Sequence, residues 1–149
     1  ADAGLEGQYL ELEITENLLM QDTQQVIRTL NELKRLKVKL TVDDFGAGYS
    51  SLSYLKRYPI DKLKIDRSFV RNLPGSIEDV AITNAMISLA KSLGMKVLAE
   101  GVERQAQVDF LRGQKCDEIQ GYLVAAPMSA VDFEAWLASY VPAPLVTNA

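Results

Sequence analysis

The sequence has 149 residues, of which 48% are hydrophobic, and carries a net charge of −4 with no histidine. That length and apolar share fit one ordinary domain with a real core and no need of disulfide staples. The acidic balance excludes broad binding to polymeric nucleic acid, which requires clustered Lys and Arg, and the lack of imidazole excludes Ser-His-Asp and Cys-His nucleophilic sites and His-ligated zinc.

Short apolar runs alternate with longer segments of helical spacing, the pattern of a parallel-sheet α/β protein. Residues 9–14, 38–42, 63–65, 95–98 and a weaker stretch near Ile119 read as strands. After the first, Val26, Ile27, Leu30, Leu33 and Leu36 share one face of a crossover helix. After the second comes a loop with Gly46 and Gly48, where Ser50 and Ser51 read as caps of a following helix that turns Leu52 and Leu55 inward. Ile82, Ala85, Met86, Leu89, Ala90 and Leu93 form another stripe ended by Gly94, with Lys91 suited to the helix dipole. A shorter helix over residues 105–112 stops at Gly113. The lone Cys116 reads as a small core residue in a reducing, cytoplasmic setting. Residues 131–140 read as a last helix with Phe133, Trp136, Leu137 and Tyr140 inward, and 141–149 as a flexible tail. No apolar run is long enough to span a membrane, so no membrane contact by this segment is expected.

Repeated strand and helix units without a Gly-rich dinucleotide fingerprint favour a (β/α) barrel over a Rossmann sheet. About five such units are visible, where a complete barrel has eight. Polar residues recur where the strands end: Glu13 and Glu16, Asp43 and Asp44, Lys64 and Asp66, Glu100 and Glu103, and Gln120. In a barrel that rim is where groups from different strands converge on a site. Adjacent Asp43 and Asp44 close to Glu13 would repel one another unless cations lay between them, and all-oxygen ligands select hard ions such as Mg²⁺ or Mn²⁺. The alternative for the aspartate pair is a capping or turn-forming role before Gly46; for Lys64 it is an exposed lysine at a strand end.

The residues Glu13-Ile14-Thr15-Glu16, the loop from Asp43 to Leu52, Lys64-Ile65-Asp66, Ala99-Glu100-Gly101-Val102-Glu103 and Gln120-Gly121-Tyr122-Leu123 together resemble the ordered motifs of EAL-domain phosphodiesterases. The resemblance implies a TIM-type (β/α)8 barrel that hydrolyses cyclic di-GMP to linear pGpG with Mg²⁺ or Mn²⁺. It implies that Glu13, Asp43 and Asp44 bind metal, and that Lys64 holds the attacking water or the scissile phosphate. Glu100 would complete the metal surroundings or act as general base. Asp66 and Gln120 would support the inner shell and the substrate, and Glu16 and Glu103 would anchor the long loop linked to dimerisation. Ala47 stands where the family often has threonine. The Glu-Ala-Leu signature and the family's asparagine ligand are not in the sequence. Residues 1–140 therefore resemble the later part of one domain with its first three strands missing, so the isolated chain is expected to be inactive and to self-associate through open edges. The alternative is a non-hydrolysing cyclic di-GMP receptor or interaction module.

Overall fold

The computed structural model describes residues 4–20, 24–46 and 55–141. Five strands, β1 (Glu11–Thr15), β2 (Lys39–Phe45), β3 (Lys62–Ile65), β4 (Lys96–Ala99) and β5 (Glu118–Ile119), pair in chain order, and every neighbouring pair is parallel. The helices are α1 (Glu16–Met20), α2 (Gln24–Arg35), α3 (Arg67–Val70), α4 (Ile77–Ser92), α5 (Gln105–Gly113) and α6 (Ala130–Ser139). The expected capping by Ser50 and Ser51, the inward Leu52 and the tail beyond Val141 lie outside the described residues; Leu55 is buried.

Side chains on a strand alternate between the two faces of the sheet, and here the alternation separates apolar from polar. Leu40, Val42, Leu63, Ile65, Val97 and Ala99 are buried in one core with Leu30, Met86, Ile87, Ala90, Val108 and Leu111 from α2, α4 and α5. The intervening positions, Thr41, Asp43, Lys62, Lys64 and Glu100, are polar. Polar interior positions shorten the apolar runs, which is why the strands extend beyond them into residues such as Lys62.

The sheet is strongly curled. Flat, it would hold β1 and β5 about 19 Å apart, four spacings of about 4.8 Å. Yet Lys62 Nζ on the central strand lies 2.9 Å from Glu11 of β1 and 2.6 Å from Glu118 of β5. Only a concave arc brings both edge strands to one ammonium, and such an arc is a segment of a barrel.

One fastening occurs twice at the strand-start end of the sheet. Asp61, just before β3, accepts from Lys34 of α2 at 2.6 and 2.7 Å and from the Leu40 backbone N–H at 2.8 Å. Asp117, just before β5, accepts from Lys91 of α4 at 2.5 and 2.6 Å and from the Val97 N–H at 2.7 Å. Each aspartate thus joins the start of one strand to the strand beside it and to the helix leading into that neighbour.

Several sequence expectations are corrected. Tyr9 lies in a 3-10 turn before β1 and is exposed, because β1 starts at Glu11. Leu36 and Ala85 face solvent instead of the core; Leu36 follows the end of α2. α5 does end at Gly113, as the sequence reads, and the left-handed residue just beyond it is Lys115 (φ 63°). In α6, Phe133 and Leu137 are 47% and 55% exposed and no residue is buried. Its apolar residues instead stack on one another, with Trp136 4.4 Å from Tyr140 and 5.8 Å from Phe133 between ring centres. The Cys116 thiol is half-buried beside the core, within hydrogen-bonding reach of the Val97 and Glu118 carbonyls, and burial pushes its pKa up to about 11. No helix among the described residues is long and apolar enough to cross a membrane.

Candidate active site

Lys64 occupies the last inward position of β3. Its side chain is 5% exposed, and Nζ lies 2.8 Å from Glu13, 2.8 Å from Asp43 and 2.5 Å from Glu100. Three different elements deliver those carboxylates: β1, β2 and the residue after β4. Glu100 is placed by its own backbone N–H, which donates to the Ile65 carbonyl at 3.1 Å. Burial alone would favour neutral lysine, but the hydrogen bonds to Asp43, Glu100 and Glu13 outweigh it and hold the ammonium above the ordinary lysine range. These contacts thus favour the charged form of Lys64.

Consecutive residues of a regular strand point to opposite faces, so Asp43 and Asp44 should not share a site. The structure resolves this through an irregularity in the β2–β3 register between Val42 and Phe45, and through Asp44 itself, held at φ 53°. A positive φ is uncommon outside glycine, and aspartate is among the residues that tolerate it. As a result Asp43, Asp44 and Glu100 each present an oxygen, all within 4.8 Å of one another. Loss of surrounding water, then the charges of Asp43 and Asp66, push the Asp44 carboxyl above its usual range. A bound divalent cation would relieve that repulsion, and the all-oxygen donors suit a hard ion. Among the described residues this trio is the group of carboxylates close enough to share an ion; Glu13 reaches Lys64 from the opposite edge.

The remaining rim residues divide. Asp66 caps α3, and its carboxylate accepts from the Ser68 N–H at 2.9 Å. Partial burial opposes its ionisation, but Ser68 and the Arg67 backbone outweigh this and keep the carboxyl below its usual range. Glu16 is buried at the start of α1, and its Oε2 accepts from the Gly46 N–H at 3.3 Å, which ties α1 to the loop after β2. Its Oε1 is buried with no hydrogen-bond partner among the described residues. Glu103 is exposed and lines a separate cavity of about 520 Å³ with Asp66, Arg67 and Arg71. Gln120 is exposed beside the groove of about 630 Å³ that Trp136 and Tyr122 line; its backbone pairs with Ala99 and Val102. Thus Glu13, Asp43, Asp44, Lys64 and Glu100 come together, Asp66 adjoins them, and Glu16, Glu103 and Gln120 stand around them.

Residues 1–127 match the EAL domain family. The chain belongs to that family. It is 48% identical over 138 residues to the cyclic di-GMP phosphodiesterase NbdA of Pseudomonas aeruginosa, covering 93% of this chain and 18% of NbdA. Among solved structures it resembles the PaMucR phosphodiesterase in its c-di-GMP complex, with a TM-score of 0.83 and 42% identity over 89% of this chain and 53% of that one. It also resembles Klebsiella pneumoniae BlrP1 in a manganese and cyclic di-GMP complex, with a TM-score of 0.78 and 36% identity over 85% of this chain and 32% of that one. The chain therefore spans about half of the PaMucR structure and less than a fifth of NbdA. EAL domains are TIM-barrel-like, and the curled parallel sheet of five strands is a partial barrel of that kind.

Two features of this EAL segment have no clear mark in the sequence pattern. Gln107, 1% exposed, accepts through Oε1 from the Glu103 and Arg104 N–H groups at 2.9 and 2.8 Å. Its Nε2 donates to the Val70 and Arg71 carbonyls at 3.0 and 3.2 Å. It therefore ties the loop carrying Glu103 to the end of α3. Its position three residues after the cap Arg104 is the signal that could have found it, since glutamine there commonly reaches back to the cap. The second is the polar layer of Lys62, Glu11 and Glu118 beneath Lys64.

Proposed function

We propose that the site hydrolyses cyclic di-GMP to linear pGpG in a metal-dependent reaction. The observation that carries this reading is the convergence of a buried ammonium, Lys64, with Glu13, Asp43 and Glu100, beside an Asp43, Asp44 and Glu100 cluster open to a cation. Asp43 and Asp44, with Glu13 and Glu100, would hold Mg²⁺ or Mn²⁺. Such ions, when bound, make water a better nucleophile and offset the charge of a phosphodiester. In the reaction a water oxygen bonds to phosphorus, the bond to one ester oxygen breaks, and the leaving oxygen takes up a proton. Lys64, protonated and fixed, orients the water or the phosphate and stabilises the negative charge that grows on the phosphoryl group. Glu100, hydrogen-bonded to Lys64, would order a cation or accept the proton of the water. Asp66 and Gln120 support the substrate side, while Glu16, through Gly46, and Glu103 anchor the loop after β2.

The Glu-Ala-Leu signature and the asparagine ligand are not in this sequence, so activity is expected from a form extended N-terminally to the length of a solved EAL domain, and not from this segment alone. The test is pGpG formation and cyclic di-GMP binding by both forms, with Mn²⁺ titration. Hydrolysis by the extended form, lost in Asp43→Ala together with Mn²⁺ binding, supports the proposal. Binding without pGpG formation by the extended form would make it a receptor, and Mn²⁺ binding unchanged in Asp43→Ala would remove Asp43 from the site.

A further inference from the structure

A second buried ammonium lies on the concave face, one step nearer the strand starts. Lys62, with a side chain 10% exposed, holds Glu11 at 2.9 Å and Glu118 at 2.6 Å, and Thr41 Oγ1 donates to Glu11 at 2.6 Å. Lys96 approaches Glu118 at 3.6 Å, and Lys39 acts on Glu11 through its charge. Each of these inward groups stands two residues before one on the site's rim: Glu11 before Glu13, Thr41 before Asp43, Lys62 before Lys64, Glu118 before Gln120. Period two puts both members on the same face, about 6.6 Å apart along the strand. The lower layer faces a cavity of about 300 Å³ that Lys39, Asp61 and Gly94 also line, at the strand-start end away from the site.

We propose that Lys62 is a positioning residue for Lys64. Lys64 meets acceptors from β1, β2 and the end of β4, so its geometry depends on how tightly the sheet is curled. Lys62 sets that curl by binding a carboxylate of each edge strand to the central strand, directly beneath. An ammonium this far removed from water keeps its place because the carboxylates compensate its charge; without it, Glu11 and Glu118 would keep just the weaker offset of the exposed Lys39 and Lys96, and the edges would part. A parting of about 1 Å at the lower layer is carried up by stiff strands to the carboxylates around Lys64, and a misplacement of that size is worth about a hundredfold in rate. The catalytic half of this inference rests on the hydrolytic role proposed for Lys64; the geometric half does not.

The experiment reads the side-chain ammonium signal of Lys64 by ¹⁵N NMR in this chain, assigned by its loss in Lys64→Arg, with thermal melting alongside. Folded Lys62→Met should shift the signal or broaden it through faster exchange with water, and Lys62→Arg should keep it. Should Lys62→Met fail to fold, Glu118→Gln decides, since it leaves Lys62 on Glu11 and weakens the other arm alone; a shifted Lys64 signal is expected there too. In the N-terminally extended form, Lys62→Met should lower kcat by about tenfold to a hundredfold while KM changes less than about threefold, with Lys62→Arg restoring most of it. An unchanged Lys64 signal in folded Lys62→Met or Glu118→Gln overturns the inference, as does a wild-type kcat in Lys62→Met. Absence of turnover in the extended wild type, with the Lys64 signal shifted in Lys62→Met, would instead refute the hydrolytic reading and leave the positioning role standing.

Discussion

Replacing Gln107 by leucine preserves the volume of a fully buried side chain but removes four hydrogen bonds, two accepted and two donated. At a net value of about 1 kcal/mol each, the loss is bounded at about 4 kcal/mol. It is reduced because the Arg71 carbonyl keeps the Arg104 guanidinium at 2.8 Å, the Val70 carbonyl keeps the Leu73 N–H at 3.1 Å, and Glu103 and Arg104 are exposed enough for water to replace one partner. We therefore expect Gln107→Leu to destabilise by about 2–3 kcal/mol, a fall of about 4–12 °C in melting temperature for a chain of this size. Gln107→Glu separates the donated from the accepted bonds. It keeps an acceptor for both N–H groups but sets an anion against two carbonyls, so its folded-state pKa should lie above the unfolded value of about 4.3. A raised carboxyl pKa stabilises below the unfolded value and is lost as pH rises, so the deficit of this variant against wild type should widen from about pH 4 upward. Paired melts across pH provide the assay. A Gln107→Leu melting temperature within about 1 °C of wild type, or a Gln107→Glu deficit independent of pH, would refute this account of the loop.

Asp117→Asn should cost about 1 kcal/mol at neutral pH, since it weakens the Lys91 pair and the bond from the Val97 N–H. Partial burial opposes ionisation of Asp117, but Lys91 and Val97 hold its pKa low; the difference from wild type should therefore persist above about pH 4 and vanish as pH falls through the depressed pKa, as denaturant titrations can show. Gly121→Ala should sharply reduce folded protein, because a Cβ there would lie 2.2 Å from the Val102 carbonyl oxygen and 2.3 Å from its nitrogen, both backbone; a wild-type melt would contradict the local geometry. In the extended form, Lys64→Ala should lower turnover by orders of magnitude in protein that still folds, and a loss below about tenfold would leave Lys64 a structural counter-ion of its three carboxylates and not a group that acts on the transition state. The segment by itself should sediment as a dimer or larger assembly at micromolar concentration, given its two edge strands and the exposed aromatic stack on α6; a stable compact monomer would count against this.

Periodicity makes the alternating architecture legible, because Leu30, Met86 and Ala90 repeat at helical spacing and the apolar strand residues cluster in short runs. The rim residues are legible too, as the polar groups at the end of each run. Their arrangement is not. Nothing in the letters Asp43-Asp44 states that Asp44 takes a left-handed backbone, yet without it the two carboxylates would face apart. Lys62 is hidden for a related reason: a lysine opening a strand ordinarily reaches solvent, and its burial depends on Glu11 and Glu118 arriving from strands far away in sequence. The aromatic spacing of α6 reads as a core stripe because periodicity reports that one face is apolar, not what lies against it.

The two aspartate fastenings have a consequence for the order of assembly during synthesis. The Leu40 N–H waits 21 residues for Asp61, and the Val97 N–H waits 20 for Asp117. Each strand and helix pair is thus secured by the unit that leaves the ribosome after it, so the growing chain always carries one unlatched unit at its trailing end. A translational pause that keeps Asp61 or Asp117 inside the exit tunnel after the preceding helix has left it would expose that helix with its lysine unpaired and its strand loosely held. Slow codons placed a tunnel's length beyond either aspartate, where it has emerged and can latch, would spare the nascent protein that state.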